Sequence, residues 1–329
     1  MTTLLPRVAP FALLLTALSA QTNLITFQEP GLTAMSNASG QIVPAAARLS
    51  TQFQSTLGIV FSSTGGFVAV VNHGTQSPSA PNVIGGTTAP GALNYLQPIT
   101  LTFVDPAAPS EPATTDWFRI RGDLIPLNSG TGTVQAFAVD GTLLGSQTLP
   151  DVSPGMVFTL AFAAPGIHRV VVTETSATVG WDNVEFTPVQ RAATFLPYGA
   201  GCAGTLGVPA LANAPGSLPV PGTTFTVSVS GAATGLAMIA TGLSNGQSGG
   251  LPLPLPLAAI GMPGCDLLVE VLRLDAMTPS GTTAAISWTL PTGGAVVGLH
   301  FYQQVLTFDP TVNALGFVAS NAAAATIGS

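Results

Sequence analysis

Alternation with a period of two residues dominates this chain, and glycine or proline cuts it every few positions. The run Thr224-Phe225-Thr226-Val227-Ser228-Val229-Ser230 puts apolar and hydroxyl side chains on opposite faces, as a half-buried strand requires. Asp116-Trp117-Phe118-Arg119-Ile120-Arg121 does likewise, with Phe118 and Ile120 on one face and both arginines on the other. Further strands are expected over 134–139, 157–162, 169–173, 184–186, 267–272, 286–290 and 296–305. Turn signals such as Asp140-Gly141, Ser153-Pro154-Gly155 and Pro165-Gly166 separate several of them. With 37 Gly and 28 Pro in 329 residues, little uninterrupted chain is left for long helices. Residues 45–57 lack both and space Leu49, Phe53 and Leu57 by four, but Leu49, Thr51 and Phe53 also alternate. Helix and strand both stay open there. So many short strands predict an all-β fold built from sandwiches.

Charge narrows the partners. Charged residues are 6% of the chain, and with seven Arg, no Lys and 14 acids the net charge is −7. A basic footprint for phosphates is missing, so nucleic-acid binding is not expected. Residues 192–265 hold no charged side chain, yet their longest unbroken apolar piece, Leu236 to Ala240, is far too short to span a bilayer. A water-soluble mature chain without a transmembrane segment is expected, its surface made neutral by Thr, Ser, Asn and Gln.

The N-terminus reads as a secretory signal over residues 1–20. Arg7 supplies the positive region, 8–18 are nearly all apolar, and Ser19 and Ala20 are small. Cleavage after Ala20 leaves Gln21 first, and cleavage after Ser19 is nearly as good. In an exported chain the even pair Cys202 and Cys265 suggests one disulfide, which would stabilise the second half by roughly 4 kcal/mol. A metal site is the weaker alternative, because neither cysteine has a nearby His or a Cys-x-x-Cys partner. A boundary falls near 188–200: the strand-like 181–186 ends at Pro188, and beyond Arg191 only Asp266, Glu270, Arg273, Asp275 and Asp309 are charged. Two domains are expected, a sandwich over 21–190 and a smaller β-module over 191–329. The Leu-Pro repeat at 251–256 fits polyproline II, an edge strand or an extended loop.

Several pieces in order carry a resemblance. They are Ile25-Thr26-Phe27-Gln28-Glu29, Gln52-Phe53 with Gly58-Ile59-Val60-Phe61, Pro81-Asn82, Ile99-Thr100-Leu101-Thr102-Phe103, Val134 to Gly141, Gly166-Ile167 and Trp181-Asp182-Asn183-Val184-Glu185-Phe186. This series resembles the jelly-roll modules of exported bacterial proteins of the PEP-CTERM type, related to galactose-binding-like sandwiches. The sorting tail itself is missing from the pattern, so that route is not expected. Tyr198-Gly199-Ala200-Gly201-Cys202, Leu251-Pro252-Leu253, Gly264-Cys265, Tyr302-Gln303-Gln304-Val305, Ser320-Asn321-Ala322 and Ile327-Gly328 resemble a C-terminal β-module found on exported bacterial proteins of unknown function. That second resemblance implies no activity.

Few residues invite chemistry. Gly242-Leu243-Ser244-Asn245-Gly246 matches a nucleophile elbow, followed by Asp266 or Asp275 and then His300, but Gln247 to Pro252 cannot begin the helix that motif needs. A turn after a strand is the better reading. His73, His168 and His300 stand apart without metal-ligand spacing, and Arg121-Gly122-Asp123 sits at a strand exit. Glu29 closes the first strand and Asp182 opens the last strand of the same domain; side by side they would offer hard oxygens to a structural calcium ion, which Asn183, carbonyls or water would complete. Such an ion is frequent in the related sandwiches. Asp105, Glu111 and Asp116 form a weaker acidic group. Trp117, Arg119 and Arg121 on one strand face make the best candidate for sugar binding, which asks only for an aromatic face and polar groups. The expectation is a secreted or cell-surface structural or adhesive module recognising glycans or cell-envelope components. A secreted polysaccharide hydrolase or lyase is the alternative.

Overall fold

The computed structural model describes residues 21–74, 77–124, 132–148, 157–175, 179–234, 236–292 and 294–328. The expected leader over 1–20 and the Ser153-Pro154-Gly155 turn lie outside the described residues. The chain is all-β and forms two sandwiches in succession.

The first contains β1 (Asn23–Ile25), β2 (Ile59–Ser62), β3 (Val68–Asn72), β4 (Asn82–Gly85), β5 (Ile99–Asp105) and β6 (Ala108–Leu124). It continues with β7 (Gly132–Phe137), β8 (Leu143–Thr148), β9 (Val157–Ile167), β10 (Arg169–Glu174) and β11 (Val179–Phe186). One sheet is ordered β9-β6-β11-β4-β3, the other β8-β7-β10-β5-β2, and the β5–β6 hairpin joins them. The alternation decides which side chains meet: Phe118, Ile120, Trp181 and Phe186 face Phe61, Leu101, Phe103 and Val170 in one core. Its rings pack edge to face, Phe103 against Phe118 at 6.3 Å and Phe158 against Trp181 at 5.4 Å. The outer face of β3 and β4 is not left to solvent. Met35, Val43, Ala47, Leu93 and Tyr95 fold over Ala69, Val71 and Val83 there.

The second contains β12 (Thr194–Tyr198), β13 (Ala210–Asn213), β14 (Thr224–Ser230), β15 (Ala237–Gly242) and β16 (Arg273–Ala276). It ends with β17 (Thr278–Ser280), β18 (Thr283–Thr289), β19 (His300–Phe308) and β20 (Phe317–Thr326). Its sheets are β12-β20-β19-β15-β16 and β13-β14-β18-β17. Asn321 imitates a strand between them: its carbonyl accepts from Leu211 N–H at 2.8 Å and its amide donates to Leu211 O at 3.1 Å. Gln304 accepts from Leu268 N–H at 2.9 Å and donates to Asp266 O and Ser320 O. Cys202 and Cys265 form a disulfide with Cα atoms 4.9 Å apart. Pairing partners change between Arg191, which bonds Ala113 of β6, and Thr194, which bonds β20.

Three expected elements differ. Over 267–272 only Leu267 joins a ladder, in the pair 266–267 with 255–256, because the segment wraps over the sheet and its Leu272 N–H goes to Thr241 O. Gly298 (φ 84°) breaks the expected strand 296–305, which starts instead at His300. Residues 45–57 divide into a 3₁₀ turn, two strand residues and a single helical turn closed by Gly58 at φ 69°. The Leu-Pro repeat forms two short edge pairings, 251–252 with 247–248 and 255–256 with 266–267.

Candidate functional site

A bulge in β11 sets the chemistry of the open sheet face. Arg121 lies opposite Asp182 and Arg119 opposite Glu185, so β11 has one residue more than β6 between these pairs. Without the extra residue Val184 would point outward and Glu185 into the core. Asn183 absorbs it with a left-handed backbone, φ 46°. Trp117, Arg119 and Arg121 therefore share the outer face with Asp182 and Glu185. The Arg119 guanidinium lies 5.5 Å from the centre of the Trp117 ring and donates to Glu185 Oε2. Glu185 Oε1 accepts from Thr22 Oγ1 at 2.9 Å, which fixes the carboxylate from the other side. Across β9 the facing positions are Ala163, Ala161 and Thr159, all small, and the indole is half-buried.

Beside this face the sheet forks. β1 pairs with β11 at Val184 to Phe186, while β4 pairs at Trp181, and the carboxylates sit where one neighbour gives way to the other. Side chains replace the missing ladder. Glu29 Oε1 accepts from Thr26 N–H at 2.7 Å, and Asp182, 0% exposed, accepts from the N–H groups of Ser79 (2.6 Å) and Asn183 (2.7 Å). Ser79 Oγ lies within 2.7–3.1 Å of both Asp182 oxygens and the Thr26 carbonyl. Its single proton can serve one of the three. Glu29 Oε2 and Asn183 Oδ1 are buried with no hydrogen-bond partner. Two buried oxygens at the fork, Glu29 Oε2 and Asn183 Oδ1, thus lack a donor, and oxygen is the ligand type a hard cation takes. Among the described residues, the two non-glycine residues in the left-handed region are Asn183 and Phe27 (φ 60°), both at this fork.

No protein-family model and no curated protein matches the chain. Among solved structures it is similar to the C-terminal family 22 carbohydrate binding module of Clostridium thermocellum Xyn10B, at 14% identity and a TM-score of 0.27. That match covers 44% of this chain and 97% of the other. A second similarity is to the enzymatically active domain of bacteriophage CBA120 tailspike protein 4, at 15% identity and a TM-score of 0.22. It covers 45% of this chain and 22% of the other.

The remaining candidates lie apart. Ser244 Oγ accepts from the N–H groups of Gly246 (3.1 Å) and Gln247 (3.2 Å), a turn after β15, while His300 Nδ1 meets Thr326 Oγ1 at 3.0 Å. His168 Nδ1 sits 2.9 Å from Ala113 O. Gly122 is buried within β6, where a Cβ would lie 2.6 Å from the Phe158 ring, so the Arg121-Gly122-Asp123 tripeptide is strand rather than exposed loop. Asp105 bonds Arg191, and Asp116 accepts from Gly166 N–H at 3.2 Å. Among the described residues no three His, Cys, Asp or Glu gather as metal ligands. Burial pushes the Glu174 carboxyl up to about 8, although the Trp181 indole and Val179 N–H bond it. That group joins the two sheets inside the core, away from the open face. Sequence reasoning missed Glu185, Ser79 and Thr26. A signal for Glu185 was present: Trp181, Val184 and Phe186 fall out of step with strict alternation, which marks a bulge.

Proposed function

We propose that the first sandwich is a glycan-binding module of an exported, non-catalytic protein, with a structural calcium ion at the fork. The observation that supports the binding reading is the fixed Trp117–Arg119–Glu185 row on the open sheet face, with small Ala163 and Ala161 opposite Trp117 and Arg119. An indole beside the small Ala163 offers an apolar face, and a guanidinium held by a carboxylate offers oriented donors without reorganisation. Sugars require that pairing of C–H stacking and directed hydrogen bonds. The sequence resemblance to exported jelly-roll modules and the disulfide are consistent with a secreted or cell-surface location. Calcium would be held by Glu29, Asp182 and Asn183, supplying positive charge beside the unpartnered Glu29 Oε2 and Asn183 Oδ1.

Glycan-array binding of the full chain, with and without calcium, tests this reading. Binding to at least one polysaccharide, weakened about tenfold or more by Trp117→Ala, is expected. Array binding unchanged by that substitution would remove the face from consideration. Chelator should lower the melting temperature of the first sandwich in the parent chain but not in Asp182→Ala; identical curves with and without chelator would reject the ion. Turnover of a bound polysaccharide would favour the hydrolase or lyase reading instead.

A further inference from the structure

Along the second sandwich the inward side chains change character toward one end. Ile239 and Val305 face each other in the core, and one step further β15 and β19 present Thr241 opposite Gln303. β16 adds Asp275 opposite Ile239 and Arg273 opposite Thr241. The opposite sheet contributes Trp288, whose ring lies 25° from the plane of Phe225, and Phe301 closes the side. A cavity of about 300 Å³ opens between these groups. Gln303 is 2% exposed; its Nε2 donates to Thr241 Oγ1 at 3.3 Å, and its Oε1 is buried with no partner. A sandwich end closed for packing alone would carry aliphatic residues at these positions. A buried amide oxygen that faces a cavity and lacks a donor points to a ligand that brings one.

The surrounding groups restrict that ligand. Arg273 Nε lies 2.8 Å from Asp275 Oδ1 and 2.7 Å from Oδ2, so the two charges neutralise each other and select no charged guest. Asp275 can still accept from a hydroxyl while Arg273 donates to one. The aromatic wall asks for an apolar flat face. A pyranose ring combines these features, whereas a linear polyol lacks the face and an aromatic hydrocarbon lacks the donors. We propose that this end of the second sandwich binds one neutral sugar ring, its C–H face on Trp288 and its hydroxyls on Gln303, Thr241 and the Arg273–Asp275 pair. The site is independent of the one on the first sandwich.

Saturation-transfer NMR on the full chain, with D-glucose, D-galactose and D-mannose as probes and ethylammonium as the charged control, decides the matter. At least one sugar should bind, Gln303→Leu should weaken it about tenfold or more, and Trp117→Ala should leave it unchanged. No binding by any of the three sugars overturns the proposal. So does equal binding in Gln303→Leu, tighter binding of ethylammonium, or a signal lost in Trp117→Ala but kept in Gln303→Leu. Should Gln303→Leu not fold, Arg273→Met, on a side chain 67% exposed, replaces it: weaker sugar binding supports the site, and unchanged binding overturns it.

Discussion

The first sandwich is filled largely by rings, whereas the second sets alanines of one strand beside its rings and adds a cross-link. Phe61, Phe103, Phe118, Trp181 and Phe186 are fully buried between the first pair of sheets. In the second, β20 brings Ala323 and Ala325 to the core, while Ala319 and Ala322 on its other face meet a covering layer around Leu257, Met262, Cys265 and Leu268. Both units therefore cover part of an outer sheet face with an irregular excursion. The first excursion is held by apolar area, from Val43, Leu93 and Tyr95. Alanines let the second layer approach closely but bury little area each, so a disulfide and the Gln304 amide hold it instead. A chain with only 6% charged residues thus has two ways to fix a layer, and they should respond to different perturbations.

Reduction should separate the two most clearly. The disulfide closes a sequence separation of 63 residues, so its loss should destabilise the second sandwich by roughly 4 kcal/mol on the chain-entropy model. Calorimetry with and without reductant should show the second transition falling and the first unmoved. Equal shifts of both transitions would mean the cross-link is not specific to its layer. Free-thiol labelling after denaturation without reductant should find none.

The first sandwich should instead be sensitive to pH. Glu174 has a folded pKa near 8 against an ordinary value of 4.5, so the native state holds a proton that the unfolded chain releases between these values. Its contribution is fully present below about pH 4.5 and declines as pH rises toward 8, by up to ~1.4 kcal/mol per pH unit. Denaturant melts of the first transition at pH 6 and 7.5 should therefore differ by about 2 kcal/mol, with greater stability at pH 6. Glu174→Gln, which keeps an acceptor for the Trp181 indole, should flatten that slope. A slope that survives the substitution would assign it elsewhere. In the second sandwich, Asn321→Ala should cost about 2 kcal/mol, because it leaves the buried Leu211 N–H and C=O without partners; a loss below ~0.5 kcal/mol would show that water replaces the amide.

What the sequence could show follows from where alternation holds. Phe118 and Ile120 or Val227 and Val229 are buried as their period predicts, since each ladder keeps one face inward. Leu257, Met262, Cys265, Leu268 and Val269 are buried without a period, because a covering layer pairs through side chains and turns rather than through a ladder. The bond of Arg119 to Glu185 joins positions 66 apart, and Ser79 reaches Asp182 across 103 residues. Such pairings depend on register, which the bulge at Asn183 resets, and composition carries no trace of them.

The smallest expected effect concerns the junction between the units. Arg191 donates from Nε to Asp105 Oδ2 at 2.8 Å, and its Nη1 reaches Gly298 O at 3.4 Å, so one side chain touches both sandwiches. Burial works to raise the Asp105 carboxyl, but the Ala107 N–H, Arg191 and the Ala108 N–H together hold it below its usual 3.8. A depressed carboxyl stabilises the fold at pH values above 3.8 and loses that contribution as pH falls through the lowered value. Both partners keep contact with solvent, so the pair should be worth about 1 kcal/mol or less. Arg191→Met retains most of the apolar stem while removing the charge. It should lower stability slightly at pH 7 and by less in acid, as Asp105 takes up its proton, with the two calorimetric transitions less coupled at the higher pH. An equal loss at pH 7 and in acid would mean that the stem, rather than the charge, joins the sandwiches, and the two units would then share apolar packing as their common device.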